Sequence, residues 1–378
     1  MENISTKINS FLPFGDSLKC VLQHPSVSKT DIGRLLKLKG VYVSSTEDEV
    51  TFPLLLTNFV SPREFEYVKN ILKSKDDREK TITRTLDWVS ETNLINAIPQ
   101  ELDIQGIIKT VYPKYKVVGS PSFKMVDNNP NNIALDFVCE SQNYSKDWYR
   151  ADNQSKGSIT LEKTKTEDGS VRLQIVHTSP ETTEIANKVV RNLERHFITS
   201  GHTDPNRETK RITFGNFSNE QRIKFFLQFT AGNTCFDFSR ALYIDIAPSP
   251  EETLPSNISW LELAKVKELH INGESLHEIH FIKDKSLHKY MELCEMTILY
   301  EFSTPKAEGN CRIRFGFPKF FSKRILATEF VVDIEKINIK QEYKCLEKDV
   351  RKSLLKEFED FKTSIYNKLI ESDESNSN

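Results

Sequence analysis

Residues 157–201 read GSITLEKTKTEDGSVRLQIVHTSPETTEIANKVVRNLERHFITSG, and this stretch decides the fold class. From Gly157 to Lys163 and from Ser170 to His177, apolar residues fall at every second position, the period of a half-buried strand. Glu167-Asp168-Gly169 between them carries the Asp-Gly turn signal of a hairpin. Ser179-Pro180-Glu181 then supplies an N-cap, a first-turn proline and an acid near the positive end of a helix. Ile185, Val189, Leu193 and Phe197 recur at four-residue spacing, Val190 widens the stripe and Gly201 stops it. A hairpin followed by a one-sided apolar helix predicts an α+β protein whose helix packs on an antiparallel sheet.

Working towards the N-terminus, Val117-Val118, Phe123 to Val126 and Ile133 to Cys139 are short apolar runs broken by Gly119, Pro121 and Asn128-Asn129-Pro130, which predicts strands. Earlier, the chain reads as helical. Ser28 and Asp31 form a capping-box variant ahead of Ile32, Leu35, Leu36 and Leu38, with Gly40 as the stop. A second helix is expected from Pro53 to Val60, and a third from Ser61 as N-cap, Pro62 at N1 and Glu64 at N3. The charged stretch from Lys73 to Lys80 is expected to run into a further helix ending near Leu94, with another from Gln100 to Thr110.

Towards the C-terminus, Arg211 to Phe214 and Cys235 to Ile246 predict strands around a helix capped by Ser218, and Asp284 to Leu293 is expected to be helical. Thr297 to Phe302, Arg312 to Phe317 and Glu329 to Ile337 alternate well enough for a small antiparallel sheet. Tyr343, Leu346, Val350, Leu354, Phe358, Phe361, Ile365 and Leu369 mark a long terminal amphipathic helix. Its apolar period lies nearer 3.6 than the 3.5 of a coiled coil, so it should pack on its own body. The expected organisation is a helix-turn-helix-like helical domain over 1–112, a mixed α/β domain over 113–247, a β-rich domain with the terminal helix over 248–371 and a disordered tail over 372–378. Pro248, Pro250 and Pro255 mark the middle boundary.

The chain has 378 residues, 38% of them hydrophobic and 28% charged, the range of a packed globular chain. Its net charge of −2 means that any polyanion surface must be a local patch. The 6 cysteines are far apart with no CxxC pair, so they read as reduced core thiols, and no cofactor is expected. No apolar run suits a membrane span or a signal peptide, which places the protein in the cytoplasm.

Two basic segments are the candidate sites. Lys29, Arg34, Lys37 and Lys39, together with Lys19, face Asp31 as the one nearby acid and could neutralise phosphates. Arg312, Arg314, Lys319, Lys323 and Arg324 are interleaved with Phe315, Phe317, Phe320 and Phe321, a mixture suited to single-stranded nucleic acid. Period two sends Ile313, Phe315 and Phe317 to one face and Arg312 and Arg314 to the other. Against a zinc site, His277-Glu278-Ile279-His280 lacks the spacing of a zinc-protease helix. For a metal-dependent nuclease, Asp127, Asp136 and Glu140 lie in the strand-rich region, but Asp136-Phe137-Val138 and Glu140-Ser141-Gln142 lack the following lysine. Nucleotide-binding glycine loops and serine elbows are absent, and no catalytic residue is assigned.

The leading expectation is a non-enzymatic nucleic-acid-binding and protein-interaction component of an intracellular complex, with DNA or RNA and a protein partner or second copy as its ligands. In general layout the chain also resembles accessory proteins of bacterial phage-defence loci. That resemblance implies a scaffold or accessory subunit of an anti-phage defence complex without direct nucleic-acid contact. A nuclease-like protein is the third reading.

Overall fold

The computed structural model describes residues 12, 15–23, 27–57, 60–76, 78–99, 102–109, 115–142, 152–164 and 169–376. Phe59, Cys20's side chain, the Glu167-Asp168 turn and the first eleven residues lie outside that set. The chain begins with helices α1 (Asp16–Leu22), α2 (Lys29–Leu38), α3 (Asp48–Leu56) and α4 (Pro62–Asp76). Helix α2 is capped as expected: the Asp31 amide donates to Ser28 Oγ and the Ser28 amide to the Asp31 carboxylate at 3.0 Å. The same reciprocal pair opens α4, where the Ser61 amide donates to Glu64 Oε2 at 2.7 Å and the Glu64 amide to Ser61 Oγ at 3.3 Å. Helix α3 starts upstream of Pro53, because Asp48 and Glu49 occupy its first turn, where the helix dipole favours acids. Leu18, Leu35, Leu36, Leu55, Phe65 and Val68 make the core of this unit.

The next segment departs from expectation. Residues after Lys80 form strand β1 (Lys80–Asp87), not a helix. Thr81, Thr83 and Thr85 alternate with Ile82, Arg84 and Leu86, a β-branched residue at every second position, and this period prevails over the preceding charge run. Short helices α5 (Leu94–Ala97) and α6 (Ile104–Lys109) follow, then β2 (Tyr115–Val117), β3 (Lys124–Val126), β4 (Asn129–Gln142), β5 (Asp152–Lys163) and β6 (Ser170–His177). Helix α7 (Pro180–Thr199), short strand β7 (Lys210–Arg211) and helix α8 (Asn219–Gln228) lead to β8 (Phe236–Pro248). Then come α9 (Trp260–Leu263), β9 (Leu269–Asn272), α10 (His280–Lys283), β10 (Met291–Thr304), β11 (Ala307–Gly316), α11 (Phe320–Lys323), β12 (Val331–Ile339) and α12 (Glu347–Asn376). The expected helix over Asp284 to Leu293 is instead a 3-10 turn, Lys285–Tyr290, running into β10. From Met291 the side chains are buried on both sides, which suits an interior strand and not a one-sided helix. Helix α12 continues through residues 372–376, part of the stretch expected as tail.

All twelve strands belong to one sheet in the order β2-β4-β5-β6-β1-β12-β11-β10-β8-β9, with β3 on β4 and β7 on β1. Its pairings are antiparallel, and β8 and β10 pair as far as Pro248 opposite Met291, so the sheet runs through the proline-marked stretch. The apolar face changes sides along the sheet. In the first half, Leu135, Phe137, Ile159, Leu173, Ile175 and Ile82 face α7, whose Ile185, Val189, Leu193 and Phe197 are fully buried. In the second half, Met296, Ile298, Ile313, Phe315, Val332 and Ile334 lie under α8 and α12. The register Thr81↔Val332 and Ile82↔Val331 shows that these two apolar sets point to opposite faces.

Strand β1 is therefore the seam, and its contact with β12 spans only Lys80 to Ile82. Arg84, 3% exposed, reinforces it: Nε and Nη2 donate to the two Glu329 carboxylate oxygens at 2.7 Å, and Nη2 also reaches Asn187 Oδ1 of α7. Helix α12 bridges the halves as well, through Lys356 to Glu162 at 2.8 Å and Asp360 to Arg172 at 2.5 Å. Replacing Glu329 by Ala should strip a buried guanidinium of its counter-charge and cost about 3 kcal/mol of unfolding free energy. Urea denaturation measures this, and an unchanged midpoint would remove Arg84 from its role at the seam.

Candidate functional site

The basic side chains of the N-terminal unit are largely engaged within the fold. Lys39 Nζ lies 2.9 Å from Glu64 Oε2, both side chains mostly shielded, and this pair joins the end of α2 to the start of α4. Lys29 approaches Glu47 at 3.7 Å, and Arg34 donates to the Tyr67 hydroxyl at 3.5 Å. Lys37 is exposed and has no partner among the described residues, beside the exposed Leu38 and Tyr42. Burial pulls the Glu64 carboxyl upwards, but hydrogen bonds from Ser61 and Lys39 outweigh it and leave its pKa below the ordinary value.

The second basic segment follows the expected alternation, and two of its five cations, Arg314 and Arg324, are paired within the fold. Ile313, Phe315 and Phe317 are buried, while Arg312 and Arg314 point to the open face. Arg314 Nε donates to Glu295 at 2.5 Å, a further nitrogen lies 3.9 Å from Glu335, and the guanidinium sits 4.7 Å from the Tyr243 ring centre. Attraction from Glu295 overcomes the burial that would lower the Arg314 pKa, which ends above its usual value. Arg324 pairs with Glu292 and stacks on Phe320 and Phe321. Phe320 is itself buried against Phe214, so Phe315, Phe317 and Phe320 are core side chains and offer no platform for bases. Arg312, Lys319 and Lys323 remain exposed without a partner among the described residues.

This open face carries acids that sequence reasoning did not connect. Asp245 on β8, Glu295 on β10 and Asp333 on β12 are nearly buried, with β11 between the last two, and burial raises the Asp245 pKa to about 6 although His270 opposes it. His288 donates to the Ile282 carbonyl, His277 stands edge-on to Phe238, and His270 lies 2.9 Å from Asp245, so each of these histidines has a local structural partner. Among the described residues no group of three or more His, Cys, Asp or Glu side chains could hold a metal ion. The thiols of Cys139, Cys235, Cys294 and Cys311 are buried and free, whereas Cys345 is exposed, a correction to the reading of it as a core thiol. It falls in the 3-10 turn Gln341–Leu346 before α12, none of whose residues is buried.

On the first half of the sheet, the face opposite α7 forms a groove of about 410 Å³. Val118, Pro121, Val138 and Val176 line it, and Glu79, Asp136, Lys156, Ser120, Ser158 and Thr178 supply its polar groups. Asp136 and Lys156 reach it from neighbouring strands, since β4 and β5 pair Asp136 with Ser158 and Val138 with Lys156. The sequence placed Asp136 near a strand but gave no sign of Lys156, because their proximity depends on strand register.

No described helix is long and apolar enough to cross a membrane. Residues 16–78, which contain α1 to α4, match the family model described as the GAPS4b protein N-terminal domain. No curated protein matches the chain.

Because the Glu64 pKa is depressed on folding, its contribution is present above the unfolded value and lost as the pH falls through the folded one. The helical unit should therefore loosen as the pH falls through and below the ordinary carboxylate range, and Glu64→Gln should flatten that dependence. Thermal melts of the full chain between pH 3 and 6 measure it; identical slopes for both proteins would contradict the assignment.

Proposed function

We propose that the protein is a scaffold or accessory subunit of a bacterial anti-phage defence complex, working through protein contacts. The observation that carries this reading is the match of residues 16–78 to the GAPS4b N-terminal domain, a name attached to such defence. The charge distribution supports it. A surface that binds phosphates needs cations free to displace counterions. Here Lys29, Lys39, Arg314 and Arg324 already face carboxylates, and Arg34 is engaged with a tyrosine. The body is a broad sheet with a small helical unit at its N-terminal side, an architecture able to present several faces to partners.

Expression of the chain together with its genomic neighbours should lower phage plaque counts, and deletion of the chain alone should restore them. Unchanged plaque counts on deletion would end this reading.

A nucleic-acid role keeps a foothold in the exposed, unpartnered Lys37, Arg312, Lys319 and Lys323. Reversing these four to Glu is expected to leave retention on DNA and RNA columns unchanged. A clear loss of retention at low salt, recovered by none of the paired residues, would instead favour the polyanion reading.

A further inference from the structure

We infer that the groove between β4, β5 and the strand ends beside Glu79 is a docking pocket for a basic side chain of a protein partner. This deepens the assembly reading above and rests on it. The groove's apolar lining includes the aliphatic side chains of Val118, Pro121, Val138 and Val176. Such a lining suits the methylene stem of arginine or lysine, which covers apolar surface while its charged head reaches polar groups. Glu79 and Asp136 are two carboxylates at the polar side, and neither has an ion-pair or hydrogen-bond partner among the described residues. Asp136 and Lys156 sit on paired strands of the same face, yet no ion pair forms between them.

The charge balance of the lining selects the occupant. Two carboxylates against one ammonium disfavour an anion such as phosphate and favour a cationic head. A metal ion is the alternative cation, but two carboxylates and hydroxyls make a poor inner sphere for one, and no three-ligand group is found among the described residues. A guanidinium fits better: its donors can engage Glu79 and Asp136, and Ser158 offers a further acceptor. Lys156 at the rim can meet a carbonyl or carboxylate of the partner backbone. The volume of about 410 Å³ lies at the lower end of ligand pockets, a size suited to one long side chain and not to a large cofactor.

The test uses the full chain and N-acetyl-L-argininamide as the probe, with saturation-transfer NMR as the readout. N-acetyl-L-glutaminamide, inorganic phosphate and spermidine are run alongside. Argininamide should bind, and Glu79→Gln with Asp136→Asn should weaken it about tenfold, the loss of roughly one charge-assisted hydrogen bond. Both positions are exposed, and circular dichroism checks that the variant folds. Equal binding of glutaminamide, or no binding of argininamide, overturns the proposal. Preference for phosphate, lost in Lys156→Ala, overturns it in favour of an anion site, and preference for spermidine overturns it in favour of a free polyamine. Plaque assays are independent of this probe, so protection that persists without argininamide binding sinks the pocket alone.

Discussion

Strand β1 must satisfy two cores at once. On one face its Ile82 and Leu86 join the apolar cluster under α7, while on the other Thr81 is fully buried beside Val332 of the second cluster. An ordinary strand with one wet face could not do this. The residue that makes the seam specific is Arg84, whose buried guanidinium is matched by Glu329 from the second half and Asn187 from α7. A buried pair of this kind adds little net stability over an apolar one, but its loss on one side is costly, and so it enforces one relative placement of the two halves.

That change of sides determines where free surface is left. Each half of the sheet keeps one face for its helices and offers the other to solvent, so the protein has two polar sheet faces on opposite sides. One holds the interlocked acids and arginines around Arg314, Glu295 and Asp333. The other holds the groove with Glu79, Asp136 and Lys156. The two faces differ in how far their charges are already satisfied. Around Arg314 the ion pairs are internal, whereas the groove's two carboxylates are exposed and have no ion-pair or hydrogen-bond partner among the described residues.

Helix caps and apolar stripes were legible in the sequence because they are local. Ser28 with Asp31, Ser61 with Glu64 and Ser218 with Gln221 all satisfy backbone amides within three residues, so no knowledge of the rest of the fold is needed. The α7 stripe and the alternation of Arg312 to Phe317 are likewise set by the period of the backbone. Strand β1 was misread because its threonines and its arginine hide the alternation under polarity. Their burial makes sense only once strands on both sides are in place. The turn over Lys285–Tyr290 was missed for the same reason, since the strand that follows draws its support from two distant partners, β8 and β11.

The amino-acid sequence by itself determined the α+β class, the capped helices, the inward phenylalanines of β11 and the balanced charge that forbids a global polyanion field. Only the tertiary structure decided which cations remain free, that Lys39 and Arg314 spend their charge on Glu64 and Glu295, and that Asp136 and Lys156 line one groove from paired strands. The physical reason is range: hydrogen bonds of caps and the period of a helix or strand act over a few residues, while ion pairing and groove formation depend on register between segments far apart in the chain.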